Sequence, residues 1–471
     1  MKLKFLFLFE VLLIPFLLSA QSPPNNLAAA YSNFKADSQL SYGLSSITVA
    51  DSETGEILFT DNSNVGLTPA STLKPITAAT AFHFLGDAFK WETKLSYTGT
   101  VSKQGVLNGD LVITSSGDPT LGSSRFLQTA PDVIYARWIN AIKKAGIKKI
   151  EGRVISDDSF YGTQIIPIGW IWQDMGNYYG AASSAVCWNE NQFDAFFQPG
   201  AKPGDPVTLL RTEPAMPYLK IVNEVTTGVP GSGDRVYAYS APYSDVVYFR
   251  GTYAVDLKKK VSASVPDPAF EASFRLQDQM IKSGIEVSGS TSTTRLLALQ
   301  NEYLKSKTII DTYASPALSE INNWFNKKSI NLYGENMLKA VAVSEGKKAE
   351  TEEGVKILRD FWSKRLDIDK NSIALLDGSG LSPENKMTTL TMVRILQSVQ
   401  KEKWFNKYFE SFPEYNGMRM KSGTMRNVLG YAGYHQSRSG KRYVFSFIVN
   451  NHNGSTPGIR AKMFKVLDEL K

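Results

Sequence analysis

Thr68-Pro69-Ala70-Ser71-Thr72-Leu73-Lys74 is the segment around which the architecture of this chain can be predicted. Two segments of alternating polarity precede it, residues 42–51 and 57–60, and the turn residues between them predict a strand hairpin. The run from Leu73 to Leu85 predicts a helix, with Pro75 in the first turn, where a missing N–H costs least. The segment therefore places a serine at the start of a helix, directly after a hairpin.

Ser71 and Lys74 form the pattern S-x-x-K at this helix start. Positions i and i+3 share one helix face, so the hydroxyl and the amine can meet. The helix N-terminus offers the Ser71 N–H to an oxyanion, and its positive end lowers the pKa of a nearby lysine. A lysine with a lowered pKa can act as a base near pH 7. The pattern predicts a serine nucleophile with a lysine base.

The same S-x-x-K pattern recurs at residues 32–35, 344–347 and 398–401. The first copy lies in a predicted surface helix, and the other two lie at predicted helix ends, where the field of a helix N-terminus is absent. The position at a helix start therefore favours Ser71 over the other three serines.

Ser329-Ile330-Asn331 lies between two predicted helices, where a loop can direct both polar side chains into a cleft. In an acyl transfer, Ser329 would pass a proton to the leaving amine, and Asn331 would orient Lys74 and bind a substrate amide. A polar connection between helices is the alternative interpretation of this short pattern.

Lys421-Ser422-Gly423-Thr424 lies on a predicted strand. Lys421 and the hydroxyl of Ser422 or Thr424 would bind a terminal carboxylate, and the Thr424 N–H would be the second oxyanion donor. Gly423 would allow the substrate to approach closely. A similar sequence, Lys282-Ser283-Gly284, follows a predicted helix and is explained by a glycine C-cap.

The three patterns occur in the order S-x-x-K, S-x-N, K-S-G, which is similar to the motif set of penicillin-binding proteins and β-lactamases. The chain resembles the D-alanyl-D-alanine carboxypeptidase/endopeptidase family of penicillin-binding protein 4 type, the low-molecular-mass class C penicillin-binding proteins. Further stretches that carry the resemblance are residues 109–111, 116–121, 331–336 and 377–382.

The resemblance implies an α+β fold with a penicillin-recognising serine transpeptidase/β-lactamase-like domain, in which helices cover both faces of an antiparallel sheet. The segments at the two ends of the chain would form this domain, and a β-rich inserted domain would carry a further nested domain. The expected bounds are 21–95 and 296–471 for the transpeptidase-like domain, 96–165 and 261–295 for the inserted domain, and 166–260 for the nested domain.

The same resemblance implies a catalytic set of Ser71, Lys74, Ser329, Asn331 and Lys421, with no metal and no cofactor. Two positions depart from the family pattern: Ser422 replaces the usual Thr, and Pro383 replaces an Arg that can meet the third residue of the peptide. Asp157 or Asp158 would still bind the amino group of that residue, and an ordinary acidic turn is the alternative.

The implied function is that of a serine D,D-peptidase, which acts on peptidoglycan stem peptides through an acyl-enzyme and is acylated by β-lactam antibiotics. The sequence does not choose between a carboxypeptidase and an endopeptidase. A serine β-lactamase is the rival enzyme, and a non-catalytic cell-wall-binding protein is the rival from another class.

Lys2 and Lys4, the apolar run Phe5 to Leu18 and the small pair Ser19-Ala20 predict a cleaved signal peptide over residues 1–20. A retained membrane anchor is the alternative. Export implies a periplasmic location. The net charge of +7 comes without a long Lys/Arg block, which argues against nucleic acid as a partner. An ordinary solvated surface explains this charge, and weak membrane or cell-wall association is the alternative.

Overall fold

The computed structural model describes residues 26–471, so the predicted signal peptide lies outside the described residues. The helices are α1 Leu27–Lys35, α2 Lys74–Leu85, α3 Pro131–Lys144, α4 Trp172–Met175, α5 Pro268–Lys282, α6 Thr294–Leu299, α7 Leu318–Lys328, α8 Asn331–Ser344, α9 Thr351–Leu366, α10 Thr389–Ser398, α11 Phe405–Glu410 and α12 Thr456–Leu467. None of these helices has the length and the apolar character that a membrane span requires.

The strands carry the labels β1 to β23 in chain order. They are β1 Leu44–Asp51, β2 Ile57–Asp61, β3 Glu92–Thr98, β4 Thr100–Val101, β5 Val106–Asn108, β6 Leu111–Ser115, β7 Lys149–Ile150, β8 Val154–Asp157, β9 Gln192–Gln198, β10 Thr208–Glu213, β11 Lys220–Gly228, β12 Asp234–Tyr239, β13 Val246–Ala254, β14 Val261–Ser264, β15 Glu286–Val287, β16 Ser292–Thr293, β17 Lys307–Ala314, β18 Ile373–Ala374, β19 Lys386–Met387, β20 Glu414–Tyr415, β21 Met418–Met425, β22 Val428–Gln436 and β23 Arg442–Asn450.

A six-stranded sheet unites the two ends of the chain, in the order β2-β1-β23-β22-β21-β20, with antiparallel neighbours throughout. Strands β1 and β23 are buried over nearly their whole length, because helices cover both faces of the sheet. One face packs on α1 and α12, and the other packs on a core that includes residues of α2, α8 and α10. The expected antiparallel sheet with helices on both faces is confirmed.

A five-stranded mixed sheet, β16-β8-β6-β3-β17, lies in the segment inserted between the two ends. The strand β17 belongs to this sheet through antiparallel pairing with β3, although the expected bounds place residues 307–314 in the transpeptidase-like domain. Strand β14 pairs with β9, so residues 261–264 join the sheets of the nested segment. The sheets therefore do not follow the expected boundaries at residues 295/296 and 260/261. Long-range strand pairing is not visible in local composition, so the sequence could not show this.

Several elements of the structure lie outside the sequence-based predictions given above. The segment 101–107 is two short strands joined by a turn at Gly105, where φ is 87°. Helix α3 lies inside the stretch predicted as β-rich; its apolar side chains form one stripe that ends in Trp138 and Ile142, both buried. Helix α9 is absent from the prediction because charged residues dominate it and only Val355, Leu358 and Trp362 are its buried large side chains.

Candidate active site

Ser71 lies in a single 3₁₀ turn, Ala70–Leu73, and the α-helix α2 begins at Lys74. The tighter turn modifies the predicted helix start without changing the spacing of the pair. Lys74 Nζ donates to Ser71 Oγ at 2.9 Å. Ala70 has a left-handed backbone with φ 47°, a conformation that costs energy for a residue with a side chain. The serine and the lysine of the S-x-x-K pattern therefore face each other at a strained turn.

The Lys74 amine has three oxygen acceptors around it. Besides Ser71, it donates to Asn331 Oδ1 at 2.6 Å and to the Ser379 carbonyl at 2.7 Å. The side chain is fully buried, and this burial lowers the Lys74 pKa well below its ordinary value. The charge of Lys421 lowers it further, against the opposite influence of Asp377 and Glu335. These contacts fix the amine in place, and burial favours its neutral form, in which two N–H groups can donate to Asn331 and Ser379 while the lone pair accepts from the Ser71 hydroxyl.

Asn331 and Ser329 occupy the connection between α7 and α8. Asn331 is the first residue of α8, and its Nδ2 donates to the Tyr179 carbonyl at 2.7 Å. This bond fixes the amide so that its oxygen faces Lys74. Ser329 ends α7 in a left-handed conformation with φ 58°. In the described part of the chain its hydroxyl makes no hydrogen bond with Ser71 or Lys74.

Strand β21 brings Lys421 and Gly423 to the serine turn. A Cβ placed on Gly423 would lie 2.9 Å from the Ser71 nitrogen and 2.5 Å from the Pro69 carbonyl oxygen, so only glycine fits there. Lys421 is buried, and its Nζ donates to the Ser422 carbonyl at 2.8 Å. Burial lowers the Lys421 pKa to about 7. A second amine therefore lies in the wall of the same cleft.

One edge of β21 is open beside the serine. Strand β20 pairs only with the first two residues of β21, whereas β22 pairs along the whole other edge. The Met420 N–H donates to the Pro413 carbonyl, on the side away from β22. Backbone groups in an antiparallel strand alternate between its two edges, so the Thr424 N–H also points to the open edge. The Thr424 N–H is therefore on the open edge of β21, one residue after Gly423, which packs against the Ser71 nitrogen.

The sequence profile of the D-Ala-D-Ala carboxypeptidase 3 (S13) family matches residues 27–414 and 415–470. The chain belongs to this family.

Two known proteins show the extent of the likeness. A D-alanyl-D-alanine carboxypeptidase from Actinomadura sp. (strain R39) is 24% identical over 449 residues, which cover 89% of this chain and 80% of that protein. The crystal structure of penicillin binding protein 4 (dacB) from Haemophilus influenzae superposes with a TM-score of 0.77 at 22% identity, over 94% of this chain and 97% of that one. A second structure of that protein, complexed with a β-lactam, gives a TM-score of 0.72, with the same identity and coverage. The S13 fold therefore extends over nearly the whole chain.

The loop from Asp377 to Ser382 contacts Lys74 and is itself held by two buried carboxylates. The Asp377 carboxylate accepts from the N–H groups of Gly380 and Ser382 and from Trp170 Nε1 at 2.9 Å. Glu335, one turn after Asn331 on α8, accepts from the N–H groups of Gly378 at 3.2 Å and Ser379 at 2.9 Å. The loop then presents the Ser379 carbonyl to Lys74. The sequence resemblance included both segments but assigned no role to Glu335, Asp377 or Ser379.

We expect Glu335→Ala to lower the free energy of unfolding by about 3 kcal/mol, because two buried N–H groups lose their acceptor and a cavity remains. Burial, followed by the charge of Asp377, raises the Glu335 pKa to about 8, so the group is mostly neutral at pH 7. The neutral isostere Glu335→Gln keeps an acceptor oxygen and should cost about 1 kcal/mol or less. Urea unfolding measures both; equal stabilities of the two variants would contradict this role of Glu335.

Asp157, predicted to bind substrate, lies at the end of β8 with partners of its own. Its Oδ2 accepts from Lys307 Nζ at 2.6 Å, and its Oδ1 accepts from the Ser159 hydroxyl at 2.6 Å. Asp158 accepts from the Thr294 hydroxyl and, at 3.1 Å, from the Arg295 N–H. The structure does not bring either carboxylate into contact with Ser71 or Lys74, and their role in binding substrate stays a prediction.

Proposed function

We propose that this chain is a serine D,D-peptidase that cleaves D-alanyl-D-alanine bonds of peptidoglycan stem peptides through an acyl-enzyme on Ser71. The observation that carries the proposal is the 2.9 Å contact between Ser71 Oγ and a buried Lys74 amine. Family membership and the carboxypeptidase name of the Actinomadura relative support it. The neutral amine takes the serine proton, and Ser71 attacks the carbonyl carbon of the penultimate D-Ala.

The other residues of the cleft take the remaining roles in this proposal. The N–H groups of Ser71 and Thr424 bind the oxyanion of the tetrahedral intermediate. Protonated Lys421 binds the terminal carboxylate together with the hydroxyl of Ser422 or Thr424. Ser329 relays the proton that Lys74 took from Ser71 to the leaving amine, and Asn331 holds Lys74. Water then hydrolyses the ester and regenerates the serine.

The same catalytic groups should react with β-lactam inhibitors. A β-lactam presents a strained amide and a carboxylate to the same groups, so it acylates Ser71, in keeping with the β-lactam complex of the Haemophilus protein.

We place the enzyme in the periplasm, after cleavage of residues 1–20, and we keep the expected division into a transpeptidase-like, an inserted and a nested domain. No observation favours a β-lactamase or a non-catalytic binder over the peptidase.

Purified protein should release D-alanine from a pentapeptide that ends in D-Ala-D-Ala and should form a long-lived adduct with a fluorescent penicillin. Mass analysis of the peptide products and gel fluorescence measure the two reactions. Fast turnover of the penicillin without peptide cleavage would indicate a β-lactamase. Neither cleavage nor an adduct in folded protein would indicate the non-catalytic binder, and either result would refute the proposal.

The two lysines should give kcat/KM opposite dependences on pH. Lys74 must be neutral to act as a base, which gives kcat/KM a rising limb at low pH. Lys421 must be charged, so kcat/KM should fall as the pH rises through about 7, the pKa of that buried amine. In Lys421→Arg, the guanidinium stays protonated and the falling limb should shift to higher pH. D-alanine release measured from pH 5 to 10 tests this; an unchanged falling limb in Lys421→Arg would contradict it.

A further inference from the structure

Residues 181–188 are all buried, although they form neither a helix nor a strand. Buried backbone that lacks helix or sheet pairing needs hydrogen-bond partners from elsewhere in the molecule. Side chains supply several of these partners. The Ala182 carbonyl accepts from Asn191 Nδ2 at 2.7 Å, and the carbonyls of Tyr179 and Ser183 accept from residues of α8. The path of the segment 179–183 is therefore set partly by that helix.

Asn331 and Lys339 are the residues of α8 that hold the segment 179–183. Their spacing, i and i+8, places both in one stripe along the helix. Asn331 Nδ2 donates to the Tyr179 carbonyl at 2.7 Å, and Lys339 Nζ donates to the Ser183 carbonyl at 2.9 Å. The two acceptors are close neighbours in the sequence. The helix thus binds one short stretch of irregular backbone at two points.

The Lys339 amine is an unusual group for the interior of a protein. The side chain is 1% exposed, and Nζ lies 4.6 Å from the centre of the Tyr161 ring. Taking an amine out of water costs free energy that an apolar side chain of the same length would not cost. An apolar side chain could not donate to the Ser183 carbonyl, however. The bond to Ser183 and the contact with the ring are therefore what the amine adds to the packing.

The orientation of the Asn331 amide decides which group faces the catalytic amine. Its oxygen accepts from Lys74 Nζ at 2.6 Å. In the reversed orientation the amide NH₂ would donate to the lone pair of neutral Lys74, which must be free to take the Ser71 proton. The reversed amide would also turn its oxygen toward the Tyr179 carbonyl, so that two acceptors faced each other. The Tyr179 carbonyl thus selects the orientation that leaves the lone pair free.

We infer that Lys339 is a positioning residue for the reaction: it keeps the Tyr179 carbonyl in the place where that carbonyl orients the Asn331 amide. The inference rests on the proposed function, because it takes Lys74 to be the base. It also gives the inserted part of the chain a task in catalysis, since the expected bounds place both acceptor carbonyls in the nested domain.

Lys339→Met keeps the approximate length of the side chain and removes the donor. Its rate constant of acylation by a chromogenic β-lactam should fall about tenfold, the size of effect expected when one hydrogen bond that orders a site is lost. In the Asn331→Ala background the same change should alter the rate by no more than about twofold, because the residue through which Lys339 acts is absent. Stopped-flow measurements on the two single variants, the double variant and the wild type complete the cycle. If Lys339→Met does not fold, Lys339→Gln, whose amide nitrogen lies one bond closer to the backbone, takes its place with the same expected results.

Asn336→Leu is the matched control. Asn336 is a fully buried residue of the same helix, and its Nδ2 donates to the Gly117 carbonyl at 2.7 Å. The variant removes a bond of the same kind that lies outside the segment 179–183. Its urea midpoint should fall, because a buried carbonyl loses its donor, whereas its rate of acylation should stay within about twofold of wild type.

Equal losses from Lys339→Met in the wild-type and Asn331→Ala backgrounds would overturn the inference, because a lysine with a purely structural role would act in both. An unchanged rate in Lys339→Met, or an equal loss in Asn336→Leu, would also overturn it. Each of these results leaves the proposed function intact. Failure of the proposed function would appear instead in the wild type, as absent acylation and absent pentapeptide cleavage, and it would refute the inference as well.

Discussion

Ser71→Ala should lower D-alanine release from a pentapeptide by a factor on the order of 10⁴ or more, because it removes the hydroxyl that forms the ester. The same variant should lose all labelling by a fluorescent penicillin. Its fold should be retained, since the Ser71 hydroxyl takes part in one hydrogen bond, with Lys74 at 2.9 Å, and the side chain is only partly buried. Initial rates and gel fluorescence measure the two losses.

Ser32→Ala is the matched control for this prediction, since Ser32 begins another S-x-x-K pattern and is exposed on α1. It should leave both rates at the wild-type level. Residual labelling of Ser71→Ala, or a loss of activity in Ser32→Ala, would show that the nucleophile has been assigned to the wrong serine.

Lys74→Gln should lower the rate of acylation by about 10³-fold, the typical effect of losing a general base. The glutamine amide can still donate toward Asn331 and Ser379, so the packing around the site is largely kept. Its amide cannot accept the serine proton near neutral pH, and acylation should become strongly dependent on added hydroxide. Stopped-flow acylation with a chromogenic β-lactam measures the rate between pH 6 and 10.

Lys347→Gln is the corresponding control, because Lys347 ends the S-x-x-K copy at the end of α8 and is exposed. It should acylate at the wild-type rate. If Lys74→Gln acylated within about tenfold of wild type, a different base would have to be found.

The contact between Ser71 and Lys74, the proposed nucleophile and base, could be predicted because the two residues are local in the sequence. Four consecutive residues carry Ser71 and Lys74, and the hairpin and helix signals on either side distinguish this copy of the pattern from three others. Asn331 and Lys421 could be predicted only through the order of the motifs and the family resemblance. Their contacts with the segment that carries Ser71 and Lys74 join residues hundreds of positions apart, as in the bond between Lys74 and Asn331.

The contacts that hold the loop 377–382 beside Lys74 could not be predicted, because they depend on backbone groups and on burial. The Ser379 carbonyl that accepts from Lys74 belongs to a loop 305 positions away, and any residue type has such a carbonyl. Glu335 acts through backbone N–H groups for the same reason. The pairing of Asp157 with Lys307 joins β8 to β17, two strands that the expected bounds place in different domains.

The mass of the protein after reaction with benzylpenicillin, followed by peptide mapping, tests the central claim most directly. We expect wild-type protein to gain the mass of one intact antibiotic, on the peptide that contains Ser71, and Ser71→Ala to gain none. An adduct on any other residue, or a wild-type protein that stays unmodified while it cleaves D-Ala-D-Ala, would contradict it.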